Sequence, residues 1–357
     1  MSAYINAIGT AVPNSKISQS KIATYMKQHI EFNEEQSHQL DVIYRASGID
    51  YRYSILPDFH QTTENPGFIM HGREPSLNDR MKLYEIEAPV LAIQSILECM
   101  KGKDLNHLTH LITVSCTGMY APGIDLEIVE QLTMRTDIHR TAINFMGCYG
   151  VFNALKLAQS ICEASATAQV LIVSVELCTL HFQRKNDEFL NLSQALFSDG
   201  ASSCLVTNNE TPNTFLIDQF HCDILFKGKN EMSWKIGQNA FDMVLTHEVA
   251  KLIEENAQSA VSKLLEKVPF NFSEISHYAL HPGGKSILKA IEHNLNLSKE
   301  HNVHAYHILK NYGNMSSATI LFVLKKLLDD HNQVKGPVLS MAFGPGLTIE
   351  TMLLRLK

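Results

Sequence analysis

The chain has 357 residues, 45% of them hydrophobic and 19% charged, a balance typical of a globular protein with one large core or two fused cores. The formal net charge is −7 and no long block of Lys or Arg occurs, so a nucleic-acid-binding surface is not indicated. Seven cysteines, an odd number, are scattered without paired CxxC spacing, which argues against a disulfide framework and against a zinc site.

The N-terminal residues lack a basic region followed by a continuous apolar stretch, and no later apolar run is long enough for a membrane span. These features predict a cytoplasmic protein without a membrane span. We therefore expect the cysteines to be reduced thiols.

Two similar stretches follow one another along the chain. The first contains a helix over 90–100, a strand over 110–115, a helix over 125–132, the dipeptide Gly147-Cys148, a helix over 151–162 and a strand over 169–175. The second contains a helix over 250–267, a strand over 277–280, a helix over 286–294, the dipeptide Gly313-Asn314, an apolar helix and a strand over 337–342.

This repetition decides the predicted fold class, which is α/β. Helices of period 3.6 that alternate with short apolar strands indicate sheets covered on both faces. Two such halves, 1–220 and 221–357, imply an internal pseudo-two-fold duplication, and no Gly/Ser-rich or Pro-rich linker separates them. On the pseudo-two-fold axis Cys148 and Asn314 occupy equivalent helix N-termini, while His281 ends a strand, so the three can meet at one central site.

Cys148, His281 and Asn314 are the candidate catalytic residues, since each lies in a sequence that could hold a reactive group. The helix N-terminus at Cys148 and a histidine partner favour a thiolate, so we expect an unusually acidic thiol. The imidazole of His281 and the side-chain amide of Asn314 can donate hydrogen bonds to an oxyanion. Each residue type alone more often has a packing or capping role; the combination carries the prediction.

The motifs around these residues resemble those of the type III polyketide synthases, the chalcone synthase family within the thiolase-fold condensing enzymes. They occur in the family's order: Gly147-Cys148 at a helix opening, Gln-Ala-Leu-Phe-Ser-Asp-Gly at 194–200, His-Pro-Gly-Gly at 281–284, Tyr-Gly-Asn-Met-Ser-Ser-Ala at 312–318 and Phe-Gly-Pro-Gly-Leu-Thr at 343–348. The resemblance runs from 5–10 almost to the C-terminus. It implies the thiolase-like five-layered αβαβα fold.

The resemblance also implies a reaction and its participants. Cys148 would hold an acyl group from acyl-CoA, malonyl-CoA would be decarboxylated and condensed with it, and His281 and Asn314 would stabilise the oxyanion. We expect no metal or other cofactor, a homodimer, and a loop at Ala121-Pro122 that reaches the partner subunit's cavity.

The cavity wall is where the sequence departs from plant chalcone synthases. Phe197 would lie between the CoA tunnel and the cavity, and Met243 stands where a second phenylalanine is expected. The other expected wall residues are Cys116, Thr117, Cys178, Leu180, His181, Trp234 and Ser316. A flexible Met243 favours an aliphatic starter extended two or three times to an alkylpyrone or alkylresorcinol, whereas Trp234 opposes a long starter if it points into the cavity.

The CoA contacts and the rival functions stay open at this point. Where plant members carry a Lys and Arg cluster, this chain retains Arg45 and Arg52 as candidate phosphate contacts. Two alternatives are a ketoacyl synthase III-like enzyme that makes one extension for fatty acid synthesis, and a catalytically silent subunit. Ketoacyl synthases III typically carry Gln-Ala-Asn after the histidine and Gly-Gly-Gly in the terminal loop, unlike this chain. A papain-like protease is disfavoured because its Gln and Cys-Trp context is absent.

Overall fold

The computed structural model describes residues 2–60, 67–69, 74–330 and 336–357. Its N-terminal half contains β1 (Ala3–Ala11), β2 (Ser15–Ser18), α1 (Gln19–His29), α2 (Glu34–Ala46), β3 (Tyr51–Ser54), α3 (Leu77–Cys99), β4 (His110–Ser115), α4 (Ile124–Gln131), β5 (His139–Asn144), α5 (Gly150–Ala164), β6 (Gln169–Leu177), α6 (Glu188–Leu196) and β7 (Asp199–Thr207). The C-terminal half contains β8 (Phe215–Ile224), β9 (Met232–Ile236), β10 (Phe241–Leu245), α7 (Glu248–Leu265), β11 (His277–Leu280), α8 (Lys285–Asn294), α9 (Val303–Tyr312), α10 (Thr319–Asp330), β12 (Gly336–Gly344) and β13 (Thr348–Leu356).

Nine strands form one hydrogen-bonded order, β11-β12-β13-β8-β1-β7-β6-β4-β5. In the N-terminal half β4 and β6 are parallel, and β7 and β1 then follow as antiparallel neighbours. In the C-terminal half β11 and β12 are parallel, and β13 and β8 then follow as antiparallel neighbours. The halves join where Ala3–Ile5 of β1 pairs with β8. The strand pattern therefore repeats, as the internal duplication predicts, and the boundary predicted at 220 falls inside β8.

The helices complete five layers. α3 packs on β1, β6 and β7, and α7 packs on β8 and β13, so these two helices cover the outer faces. α5 contacts β4, β6 and β7 of the N-terminal half, while α10 contacts β1 and β7 of that half and β11 of the C-terminal half, which places α10 between the two halves of the strand order. Every residue of β7 is buried, as expected for a strand covered on both faces.

Local signals explain where several helices begin. Ser76 and Asp79 form a reciprocal capping box at the start of α3, and Asn33 and Gln36 do the same for α2. The helix predicted over 90–100 is therefore only the second half of α3. Within the described ranges, no helix combines the length and apolarity that crossing a bilayer requires.

The duplication places two glycines at matching positions. Gly147 and Gly313 both have left-handed φ angles, +79° and +72°, which glycine adopts without a steric penalty. Cys148 follows the first within the 3-10 turn Gly147–Tyr149 before α5. Asn314 follows the second, ahead of the 3-10 turn Ser316–Ala318 and α10. Both candidate residues thus precede the two central helices.

Candidate active site

The thiol of Cys148 is held at the entrance to α5 by close backbone packing. A Cβ atom on the preceding Gly147 would lie 2.3 Å from Cδ of Pro345, so only glycine fits there. Cys148 is partly exposed, and its Sγ lies 3.7 Å from Oγ of Ser316. The thiol also interacts with the side chain of Asn314.

The prediction of an acidic thiol is wrong for this arrangement. Burial raises the pKa of Cys148 to about 12, although hydrogen bonds with Ser316 and Asn314 act in the opposite direction. The buried carboxylate of Glu176 raises it further. The net effect favours the protonated thiol over the thiolate.

His281 is a buried, neutral imidazole. Its backbone N–H donates to the carbonyl of Met341 at 2.8 Å, which extends the pairing of β11 with β12, and the residue is 1% exposed. Burial lowers the pKa of the imidazole to about 3. Neither ring nitrogen has a hydrogen-bond partner among the described residues. One nitrogen can therefore accept a proton while the other donates a hydrogen bond.

Asn314 connects the cysteine and histidine segments. Its Oδ1 accepts from the backbone N–H of Ser316 at 2.9 Å, which assigns the other end of the amide as the donor. Nδ2 donates to the carbonyl of Gly283 at 3.2 Å, and the N–H of Gly283 donates to the carbonyl of His281. The Asn314 amide thus contacts the Cys148 thiol and fixes the turn that follows His281.

Cys148 opens into a cavity with about 670 Å³ of space free of protein atoms, part of it open to solvent. Eight of the predicted wall residues line it: Cys116, Thr117, Cys178, His181, Phe197, Trp234, Met243 and Ser316. The prediction for Leu180 is wrong, because that side chain is fully buried in the core cluster that includes α3. Residues three apart in a 3-10 turn share a face, so Cys178 and His181 reach the cavity together and Leu180 does not.

An aromatic wall closes one side of this cavity. His181 donates from Nε2 to the carbonyl of Thr117 at 2.7 Å, and its Nδ1 accepts from the N–H of Phe241 at 3.0 Å. Burial lowers the pKa of His181 to about 3. Phe241, which sequence reasoning missed, stacks on this ring, and Trp234 meets both rings edge-on. The indole N–H donates to the carbonyl of Cys116 at 2.7 Å, so Trp234 is fixed in the wall.

Glu176 is a second residue that the sequence reasoning did not assign to the site. Its buried carboxylate accepts from the hydroxyls of Thr117 and Ser317 and from the N–H of Cys116. Burial raises the pKa of this carboxyl group. The sequence signal was the single charged residue of β6, because a carboxylate buried in a strand needs several hydrogen-bond donors around it.

Arg52 holds the segment that carries Phe197, so the prediction that it contacts CoA is wrong. The side chain is 2% exposed and donates from Nη1 to the carbonyls of Gln194 and Phe197, both at 2.6 Å. Its Nε donates to Gln19 at 2.8 Å. Phe197 also bridges to Asn314 across the two halves.

A second, mainly apolar groove lies outside this segment. It has about 940 Å³ of free space and is lined by Leu196, Gly283, Gly284 and Lys285, among others. Leu196 lines the groove and Phe197 lines the cavity, so the segment formed by these two residues lies between the two spaces. Arg45 does not line this groove: it borders a separate polar groove with Asp41 and Asp50. The mainly apolar groove also carries the positive charge of Lys285, a residue that sequence reasoning did not single out.

Metal ligands are not grouped in the described part of the chain, where no three His, Cys, Asp or Glu side chains could hold one ion. The arrangement offers a thiol that lines the cavity, an oriented amide that contacts the thiol, and a buried, neutral imidazole joined to that amide through Gly283. These groups suit acyl transfer and oxyanion stabilisation.

Comparison with known proteins gives the same family at both ends of the chain. The family model for chalcone and stilbene synthases, N-terminal domain, matches residues 1–210, and the C-terminal domain model matches residues 218–356. The chain is 27% identical to "Type III polyketide synthase C" of Arabidopsis thaliana over 368 residues, covering 99% of this chain and 95% of that protein. It is 26% identical to "Probable polyketide synthase 1" of Dictyostelium discoideum, covering 99% of this chain but only 11% of that much longer protein.

Solved structures confirm the fold. The C-terminal type III polyketide synthase domain of Steely1 from Dictyostelium superimposes with a TM-score of 0.92 at 24% identity, covering 100% of this chain and 99% of that one. PKS-I from the brown alga Ectocarpus siliculosus superimposes with a TM-score of 0.93 at 24% identity, covering 100% of this chain and 98% of that one. With both family models matched across nearly its full length, the chain belongs to the chalcone and stilbene synthases, the type III polyketide synthases, which are condensing acyltransferases of thiolase-like fold.

Proposed function

We propose that the protein loads an acyl-CoA starter on Cys148, extends it with malonyl-CoA and cyclises the product in the same cavity. The observation that supports this proposal most strongly is that both ring nitrogens of His281 are buried and have no partner among the described residues. The Asn314 amide, which contacts the thiol, is hydrogen-bonded to Gly283 in the turn that follows His281. A buried polar group without a partner is costly unless a substrate supplies one.

In the loading step, the proton of the Cys148 thiol passes to the neutral imidazole of His281. The sulfur attacks the thioester carbon of acyl-CoA, and the CoA sulfur leaves with that proton. Because the starting thiol has a raised pKa, proton transfer accompanies the attack rather than preceding it. The Asn314 amide donates to the oxygen that becomes negative.

In the extension step, malonyl-CoA loses carbon dioxide and its thioester oxygen takes up negative charge as an enolate. An N–H of His281 and the Asn314 amide donate to that oxygen. The enolate carbon then attacks the acyl-Cys148 thioester, which releases the cysteine sulfur and leaves a chain longer by two carbons on CoA. Transfer of this chain back to Cys148 starts the next round.

CoA would reach the thiol through the apolar groove beside Gly283 and Gly284. Phe197, held in place by Arg52, separates this groove from the cavity and keeps bulk water from the enolate. Lys285 is the cation placed to meet a CoA phosphate, since Arg45 faces another groove and Arg52 is buried.

The starter would be a short aliphatic acyl-CoA, extended two or three times to an alkylpyrone or alkylresorcinol. Met243 offers an adaptable apolar surface, whereas Trp234 occupies length that a long acyl chain would need. Its hydrogen bond to Cys116 and its contacts with His181 and Phe241 keep the indole from turning away.

The exposed edge of β5 supports assembly as a homodimer. β5 pairs with β4 on one side, is exposed at five of its six positions, and has no other partner among the described strands. An unpaired strand edge is a template for pairing with another chain. In such a dimer the exposed Ala121-Pro122 loop would reach the partner subunit's cavity.

Labelled malonyl-CoA and a panel of acyl-CoA starters test the proposal, with products identified by mass. We expect cyclised products of two or three extensions from the wild type and none from Cys148→Ala of unchanged fold. Extension only once, and only from malonyl groups on acyl carrier protein, would contradict the proposal in favour of a ketoacyl synthase III-like enzyme.

A further inference from the structure

Gln194 has one end of its side-chain amide bound and the other end without a partner. Its Oε1 accepts from the backbone N–H of Gln183 at 2.7 Å. Because a backbone N–H can only donate, this contact assigns the oxygen, and the remaining end must be the NH₂ group. Within the described ranges, Nε2 of Gln194 has no acceptor.

The position of Gln194 links this free donor to the reaction cavity. The residue is 5% exposed and lines the cavity together with Ser193 and Phe197. It shares this condition with His281, whose ring nitrogens are also buried and unpartnered. A donor left in this state costs stability unless an acceptor arrives, so an acceptor in the cavity is the physical counterpart of the Gln194 NH₂ group.

The donor is also held rigidly. The carbonyl of Gln194 accepts from Nη1 of Arg52 at 2.6 Å, which fixes its backbone. Gln183, which binds its side chain, donates from Nε2 to Asp242 at 2.9 Å, and Asp242 lies on β10 between Phe241 and Met243. A side chain held at its backbone and at its amide oxygen loses little further entropy when its NH₂ group binds a ligand.

We propose that the side-chain NH₂ of Gln194 binds a keto oxygen of the growing poly-β-keto chain and so selects extended chains over the bare starter. The inference rests on the proposed function. A loaded aliphatic starter has one carbonyl oxygen, which lies at the oxyanion donors beside Cys148. After the first condensation and reloading, the malonyl-derived carbonyl is the thioester on Cys148 and the starter carbonyl lies farther along the chain, where Gln194 is a cavity donor available to it.

Two variants separate this function from a structural one. Gln194→Glu keeps the shape and the acceptor for Gln183, but an ionised carboxylate has no hydrogen to donate. Gln194→Met removes both the donor and the bond to Gln183. The matched control is Gln159→Glu, the same change on α5, where the amide donates to the carbonyl of Ile217 outside the cavity.

At pH 8 we expect both Gln194 variants to load starter on Cys148 within about twofold of wild type. Their formation of products with two or more extensions should fall about tenfold, the factor that one neutral hydrogen bond carries. Gln159→Glu should match wild type. Wild-type activity in Gln194→Glu with loss only in Gln194→Met would overturn the proposal, because the bond to Gln183 would then be the sole function. An equal loss of loading and extension would overturn it too.

A binding measurement tests the same contact without turnover. Trp234 is the only tryptophan and lines the cavity, so its fluorescence reports occupancy. On a Cys148→Ala background, heptane-2,4-dione should quench it saturably, and Gln194→Glu should raise the Kd about tenfold. An unchanged Kd would overturn the proposal. Failure of wild type to accept any acyl group on Cys148 would instead refute the proposed function. The binding measurement would still show whether Gln194 binds a diketone, because it does not depend on loading.

Discussion

Replacing Trp234 by glycine should lengthen the preferred starter. The half-buried indole lines the cavity, where its N–H is bound to the carbonyl of Cys116 and its ring contacts His181 and Phe241. An aromatic side chain buries roughly 150–250 Å² of surface, and one methylene corresponds to about 30 Å² at the usual transfer free energy. The lower area, about 150 Å², suits a half-buried residue in the cavity wall, and its removal gives the starter chain room for about five more methylenes.

The energetic consequence can be stated as a ratio of rates. Each methylene that finds apolar contact contributes about 0.8 kcal/mol, or about fourfold in kcat/KM. Trp234→Gly should therefore favour starters longer by about five carbons over the wild-type optimum. Removing the ring should also cost about 2–3 kcal/mol of stability, below the range for a fully buried tryptophan.

The assay compares kcat/KM over a series of saturated acyl-CoA starters from about two to twelve carbons, with folding checked by circular dichroism. Trp234→Phe is the matched variant, because it keeps an aromatic ring but loses the bond to Cys116. It should shift the optimum by no more than about two carbons. An unchanged chain-length profile in Trp234→Gly would refute the reasoning, since the indole would then not limit the cavity.

Three further predictions follow from the charges at the site. Alkylation of Cys148 should accelerate about tenfold per pH unit from pH 7 to 9 without a plateau, because the raised pKa keeps the thiol protonated; a plateau below pH 8 would show a preformed thiolate. Lys285→Ala should raise the KM for malonyl-CoA about tenfold while Arg45→Ala leaves it unchanged, and equal effects would place CoA elsewhere. His281→Ala and Asn314→Ala should each slow malonyl-CoA decarboxylation by roughly 10² to 10³ and starter loading by less, as radiolabelled carbon dioxide release would show; normal release would refute their oxyanion function.

The fold was predictable because hydrophobic periodicity repeats along the chain. β4 and β11 have the predicted bounds. The start of α3 was missed because a capping box at Ser76 lies well ahead of the apolar stretch that identified the helix. Periodicity locates the buried face of a helix better than its first turn.

Site geometry was predictable only in part. Motifs singled out Cys148, His281 and Asn314, but they did not reveal that burial would raise the pKa of the thiol. The charge of Arg52 suggested a phosphate contact, whereas its acceptors are the backbone carbonyls of Gln194 and Phe197. Backbone acceptors leave no residue-type signal in a sequence, so this contact needed the three-dimensional structure.

The central claim is that Cys148 carries the acyl chain. Two other cysteines in the same cavity make this claim directly testable, because an acyl group could be found on any of the three thiols. Cys116 and Cys178 line the same cavity, and burial raises the pKa of both thiols well above the ordinary value. Brief mixing with a short acyl-CoA, followed by digestion and mass spectrometry, locates the acyl group. We predict one acyl group per chain, on the peptide that contains Cys148, and none in Cys148→Ala. An acyl group on Cys116 or Cys178, or unchanged acylation of the variant, would contradict the account.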